Sequence, residues 1–341
     1  MSFSPAPWSK PHAPRGRWRG ALARAVAIGA AGGAIALAAC GGSTSAFEPF
    51  VPGRLFAFGD EASALTAAPE GRNWGINGIN GNNTETTTDD FIDCRLQPNW
   101  VQSLAATYGF VFAQCNRDNV AEPQAHNRAA AGAKVADVAA QVEAQAQATG
   151  PAGGFRDKDL ASVMVGVNDI VELYRQYDGT NLAALEDQAR ARGRGAAQVV
   201  NRLVALGAKV VVSNIPDLGF TPLAKNENAA NPGSNRSAVL SSLSAAFNEQ
   251  LGVTIVLDGR FVALVQTDQR MLAIVRSPGS FIIANTTDAA CATPPPACTN
   301  LTLVTDANQG TWLWAGDVLL SSRGQSEIAS LAIARAQRNP F

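Results

Sequence analysis

Residues 55–64 read Leu-Phe-Ala-Phe-Gly-Asp-Glu-Ala-Ser-Ala. An apolar run, Leu55–Phe58, passes directly into Gly59-Asp60. A short apolar run closed by a turn signal reads as a buried strand. The turn carries the next side chain, Glu61, to the top edge of a sheet. The same grammar recurs downstream. Leu160–Val165 ends at Gly166-Val167-Asn168-Asp169, and Lys209–Ser213, with Val210-Val211-Val212, ends at Asn214-Ile215-Pro216-Asp217-Leu218-Gly219. Phe261–Val265 is a further apolar run. Continuous β-branched stretches without polar alternation belong to strands covered on both faces.

Helical patterns fill the gaps. Trp100, Leu104 and Tyr108 stand at helical spacing within Asn99–Tyr108. Val135, Val138, Val142 and Ala146 give Val135–Ala148 a thin apolar face. Leu182–Leu206 is a long amphipathic helix with Arg190, Arg192 and Arg194 on its solvated side and Gly207 as its stop. Ala238–Leu251 and Ser322–Ala336 complete the set, and Phe110–Ala113 reads as a second strand. Alternation from end to end favours an α/β fold, a doubly wound and largely parallel sheet with helices on both faces. Sites in such sheets form at the carboxyl ends of strands. Residues 66–98 are rich in Gly, Asn and Thr and read as a long loop, placed where it can roof that edge.

Four motifs in order, over nearly the whole chain after residue 53, resemble those of the SGNH/GDSL hydrolases. Phe58-Gly59-Asp60 matches the first; Asn127-Arg128-Ala129-Ala130-Ala131-Gly132-Ala133 resembles the second; Gly166-Val167-Asn168-Asp169 matches the third. Trp314-Ala315-Gly316-Asp317-Val318-Leu319-Leu320-Ser321, with Gly324-Gln325, resembles the last. Asn214–Gly219 is similar to a further family turn, and Thr286–Cys298 to the cysteine-bearing loop of its bacterial esterase branch. The resemblance implies a single flavodoxin-like α/β/α domain over residues 54–341. It also implies an oxyanion hole with donors at Gly132, Asn168 and the amide of Glu61.

The departures bear on function. In the family the first motif continues with a nucleophilic serine, and the last holds an aspartate three residues before a histidine. Here the serine position is Glu61, the histidine position Leu319 and the aspartate position Gly316, with Asp317 one place out of register. Ester hydrolysis needs a hydroxyl, a base and an orienting carboxylate. Losing a triad serine or histidine costs about a millionfold in kcat in a well-studied protease. Ser63 and His126, the one histidine after residue 12, are the substitutes to weigh. Ser63 lies two residues past a tight turn and is expected to point elsewhere; His126 reads as a loop group on the far side of the donors. Glu61 either folds back onto the oxyanion donors or lies in solvent. Asp60 is expected to cap a following helix and Asp169 a helix start. Trp312 and Trp314 are expected in the core or the pocket wall.

The amino-terminal region reads as an export signal. Arg15, Arg17, Arg19 and Arg24 precede a small-residue apolar core, Ala25–Ala36, too short to span a bilayer. Leu37-Ala38-Ala39-Cys40 resembles a bacterial lipobox, which implies removal of residues 1–39 and a lipid on Cys40; an ordinary secretory cleavage is the alternative. Gly41 in place of aspartate points to the outer membrane. Residues 40–53 read as a tether. Cys94, Cys115, Cys291 and Cys298 fit an oxidising compartment. The local pairs Cys94–Cys115 and Cys291–Cys298 are expected, and the spacings fit no zinc pattern. Charged residues are 16% of the chain and the net charge is −1, so nothing argues for nucleic acid. A monomer without a cofactor is expected, attached to the membrane through Cys40.

Three functions follow as expectations. The first is a catalytically degenerate envelope lipoprotein that binds rather than hydrolyses, with an acyl ester or a glycan as the ligand class. The second is an active ester hydrolase with relocated groups. The third is a carboxylate site built from Asp60, Glu61 and Asp317, for a glycan or a divalent cation.

Overall fold

The computed structural model describes residues 49–80 and 91–341. The signal at 1–39, Cys40, residues 41–48 of the tether and the middle of the 66–98 loop lie outside the described residues. Strand β1 is Arg54–Gly59, every residue buried. Two short strands follow, β2 (Ile79–Asn80) and β3 (Phe91–Ile92), paired antiparallel. Helix α1 is Trp100–Thr107, β4 is Ala125–Asn127, α2 is Val135–Gln147, β5 is Asp159–Met164 and α3 is Val167–Tyr174. Next come α4 (Leu182–Ala205), β6 (Lys209–Ser213), α5 (Pro222–Ala230), α6 (Arg236–Thr254), β7 (Val262–Val265) and α7 (Thr267–Arg276). The chain continues through β8 (Asn285–Ala289) and β9 (Trp312–Trp314) to α8 (Ser322–Arg338).

Five strands form one sheet in the order β4-β1-β5-β6-β7, all parallel. Alternate residues of each strand face opposite layers, as the period of two requires. Phe56, Phe58, Ala161, Val163, Val210 and Val212 pack into one core with residues of α2, α3, α4 and α6. Leu55, Ala57, Leu160, Met164, Val211 and Val265 pack into the other with α1, α7 and α8. Both faces are therefore dry, which is why these strands carry no polar alternation. At the amino end of β1, buried Arg54 spans to Asp159 with Nε–Oδ1 2.9 Å and Nη2–Oδ2 2.6 Å. That paired geometry ties the two central strands together and satisfies both charges.

The expected strand Phe110–Ala113 is not one. Phe112 makes a single bridge to Ala125, and Ala113–Cys115 is a 3-10 turn. The place beside β1 is taken by β4, whose Ala125, His126 and Asn127 register with Leu55, Phe56 and Ala57. Phe112 is apolar because it is buried against α1's core, not because it joins the ladder. The end of the expected tether is docked as well. Pro52 is buried, Gly53 N–H donates to the Lys158 carbonyl at 2.7 Å, and Phe50 packs edge-on against Phe341 at 5.4 Å. Both expected disulfides form, Cys94–Cys115 and Cys291–Cys298, each with Cα atoms 5.8 Å apart.

Candidate active site

The chain starts in β1, moves left to β4 and then right to β5, so the winding reverses at β1. A crevice opens beyond the carboxyl ends of strands at such a reversal. The turns after β1, β4 and β5 meet there. Gly59 closes β1 at φ +140°, and a Cβ would stand 2.1 Å from the Met164 carbonyl oxygen. Only glycine lets β1 pass this close to β5 while turning. Gln141, from α2, clamps the turn on both sides. Its Oε1 accepts from Gly59 N–H and its Nε2 donates to the Gly59 carbonyl, both at 3.1 Å. Ala130 N–H donates to that same carbonyl at 3.0 Å, which fixes the segment after β4 beside the turn.

Glu61 leaves this turn and its carboxylate bridges the neighbouring segments. Gly132 N–H donates to Oε1 at 2.6 Å, and Asn168 Nδ2 donates to Oε2 at 2.7 Å. Asn168 also donates to the Ala133 carbonyl at 3.1 Å, which fixes its amide plane. One carboxylate thus takes the donors from the β4 and β5 turns together. Charge-assisted bonds this short are the stronger kind.

Asp60 is buried beneath. Its Oδ1 accepts from Ala62 N–H at 3.0 Å, while Oδ2 is buried without a partner among the described residues. No helix follows it; residues 61–63 are a turn, so Asp60 caps that turn rather than a helix. Burial, reinforced by the nearby Glu61 charge, pushes its carboxyl up to about 8. Asp169, by contrast, caps another element than its own: it accepts from Val135 N–H at 3.0 Å, at the start of α2, and lies 3.4 Å from Arg192. Burial raises its carboxyl from the ordinary value, against the lowering pull of Val135 N–H and Arg192.

The two substitute groups lie elsewhere. Ser63 is fully buried, its Oγ accepting from Trp100 Nε1 at 3.1 Å. His126 sits on β4, not in a loop, stacked on Phe56 at 4.9 Å between ring centres. Burial, then Arg128 and Arg54, holds its imidazole down at about 4, so it is neutral at ordinary pH.

A cavity of about 400 Å³ opens over Glu61. Asp60, Met164, Asn168, Pro216 and the 315–320 turn line it, with Trp74 from the 66–98 loop and Cys291, Pro294 and Pro295 from the disulfide loop. Gly316, Asp317 and Leu319 are therefore brought to the same cavity as Glu61. The 315–319 turn is held by Ala315 N–H donating to the Leu319 carbonyl at 2.7 Å. Leu319 offers no proton acceptor. Asp317 is exposed, and its carboxylate makes no hydrogen bond or ion pair among the described residues. Trp314 is core rather than wall, its Nε1 donating to the Thr286 carbonyl at 3.0 Å. Among the described residues, no group of three or more His, Cys, Asp and Glu is placed to hold a metal ion. Gln141 and Trp74 carry no signal in the sequence. Each acts on residues far along the chain, and no local pattern marks it.

The sequence profile of the GDSL-like lipase/acylhydrolase family matches residues 55–260, more than half of the chain. A phosphatidylcholine-sterol acyltransferase of Aeromonas hydrophila is 31% identical over 136 residues, 40% of this chain and 37% of that protein. An acetylxylan esterase structure from Geobacillus stearothermophilus covers 86% of this chain and 98% of its own, at 14% identity and a TM-score of 0.41. A GDSL-like lipase structure from Parabacteroides merdae covers 83% and 94%, at 16% identity and a TM-score of 0.37. The profile match and the ordered strand-end motifs agree: the chain belongs to the GDSL-like lipase/acylhydrolase family.

Proposed function

We propose that this chain is a member of the family in which a fixed carboxylate has replaced the hydrolytic machinery, and that it binds a small ligand instead of cleaving one. The observation that carries this reading is the Glu61 carboxylate, bonded to Gly132 N–H and Asn168 Nδ2. In acyl transfer those donors serve the oxygen that becomes negative in the transition state. Here they already hold a negative group. An incoming ester carbonyl would have to displace Glu61 and would then find no hydroxyl at position 61 and no base at position 319. Ser63 cannot step in while its Oγ accepts from Trp100 beneath the turn.

The cavity supports a ligand-binding role. At about 400 Å³ it falls within the range of small-molecule sites. Trp74, Val318 and Leu319 offer apolar wall, and Glu61, Asn168 and Asp317 offer polar contacts. An acyl ester or a glycan fragment is the ligand class that fits this mixture. The lipobox-like Leu37–Cys40 places the domain in the bacterial envelope in this reading, tethered to the outer membrane through a lipid on Cys40.

The purified wild type is expected to take no label from a fluorophosphonate probe and to hydrolyse neither acetyl nor longer acyl p-nitrophenyl esters above the rate in buffer. Label on Ser63, or ester turnover that disappears in Ser63→Ala, would establish a relocated nucleophile and overturn the proposal.

A further inference from the structure

The end of the sheet opposite the cavity carries an apolar and basic surface. Parallel strands put all their amino ends on one edge, so the residues that precede β1, β5, β6 and β7 lie together. There Val51 is 67% exposed, Val256 47% and Leu257 68%, and Val253, at the end of α6, is 70% exposed. The two sides of this edge are linked underneath. Phe50 packs on Phe341, and Pro340 lies against Gly259, where an added Cβ would meet its ring at 3.4 Å. Arg156, Lys158, Lys209 and Arg260 stand along the same edge, against Asp157 and Asp258. Asp258 is already paired with Arg260 at 2.7 Å, and Lys209 reaches the Arg260 carbonyl, also at 2.7 Å.

We infer that this edge is seated on the lipid bilayer, with Val51, Val253, Val256 and Leu257 in the headgroup layer and the cavity turned away from it. The inference rests on the lipid anchor at Cys40 proposed above. Its own support is where the chain enters the domain. Residue 49 leads into Phe50–Gly53, which is pinned to this edge through Gly53 and Phe50. Pro49 follows Cys40 by only nine positions. Fully extended, that stretch reaches about 30 Å. An anchor that joins the domain at this edge favours its approach to the membrane over that of the opposite end. Exposed aliphatic side chains rimmed by Lys and Arg suit an interface containing anionic lipid. The two ends of the sheet lie about 20 Å apart, since its longest strands have six residues. The cavity mouth then stands clear of the anchoring leaflet, so its ligand is a molecule outside that leaflet and not a lipid within it.

The test uses the full-length, processed protein in vesicles of phosphatidylethanolamine and phosphatidylglycerol. The four cysteines of the domain are in disulfides, so Leu257→Cys and Leu301→Cys can each take one bimane label. Leu301 is also exposed, at 51%, but its segment is tied to the cavity-lining disulfide loop, with Ala292 N–H donating to the Thr302 carbonyl at 2.9 Å. The label at 257 is expected to be several-fold more quenched by lipid-borne nitroxide, and several-fold less by aqueous iodide, than the label at 301. The reverse order, or equal access of iodide to both, overturns the seating. Shielding at 257 without lipid quenching also overturns it, because a second protein copy would then cover the edge. The mass of the mature amino-terminal peptide reports the anchor separately. A lipidated protein with position 257 in water sinks the seating alone, whereas a peptide without lipid on Cys40 sinks the anchor and the seating together.

Discussion

Asp60→Asn is expected to stabilise the folded protein from neutral to mildly alkaline pH, with the gain growing between about pH 4 and pH 8. Asp60 is buried, and one carboxylate oxygen has no partner among the described residues. Its carboxyl is held at about 8 in the fold, against an ordinary value of 3.8. The folded state therefore keeps a proton that the unfolded chain releases. Below pH 4 both states are protonated and the titration costs nothing. As pH rises through the window, folding must retain the proton or bury the charge, so stability falls until about pH 8 and then levels off. Each pH step of one across that window removes about 1.4 kcal/mol, so the whole penalty is on the order of 6 kcal/mol. Asparagine keeps an oxygen for Ala62 N–H and removes the titration. Its amide nitrogen inherits the unpartnered place, which costs about 1–3 kcal/mol. The net gain at pH 8 is then roughly 3–5 kcal/mol. Urea midpoints of both proteins across pH 4–9 check this. Parallel curves would mean that Asp60 does not hold its proton.

The second large effect is gained activity. Glu61→Ser alone is expected to stay inert, because position 319 supplies no base. Adding Leu319→His and Gly316→Asp should raise ester hydrolysis by about 10²–10⁴-fold over Glu61→Ser, the range that a positioned general base contributes. The geometry admits this. Gly316 has open space for a side chain: an added Cβ would meet Leu319 Cβ at 3.7 Å, an ordinary contact. A carboxylate there would stand beside an imidazole at 319, and Leu319 lines the same cavity as Glu61. Removing Glu61 also frees Gly132 N–H and Asn168 Nδ2 for the oxyanion. A folded triple variant no faster than Glu61→Ser would show that the 315–319 turn cannot present a base to position 61.

Much of this site is legible in the sequence because it stands at strand ends. β1, β5 and β6 are buried on both faces, so each is a run of apolar residues broken by a turn, and Glu61 and Asn168 follow from those breaks. The edge strand β4 is not legible that way. It has three residues, Ala-His-Asn, and owes its place to register with β1, while the more apolar Phe110–Ala113 serves the core. Helices α5 and α7 leave little trace in the sequence pattern. The first buries only Pro222 and Ala224, and the second directs only Thr267, Met271 and Ile274 fully inward. Local spacing assigns the capping roles of Asp60 and Asp169 to the nearest helix. In the fold Asp60 serves a turn, and Asp169 reaches 34 residues back to Val135. Gln141 and Trp74 belong to contacts between distant segments, which spacing along the chain does not encode.

Glu61 is the occupant of an anion site formed by the turns after β4 and β5. Glu61→Ala empties that site without touching its donors, so a small carboxylate should take the vacated place. Titration of both proteins with acetate, followed through the Gly132 backbone amide and the Asn168 side-chain amide by ¹H–¹⁵N NMR, measures this directly. Saturable shifts of both signals in Glu61→Ala, and none in the wild type, are the predicted result. Equal responses in the two proteins, or Gly132 and Asn168 signals that do not change on removing the Glu61 carboxylate, would contradict it.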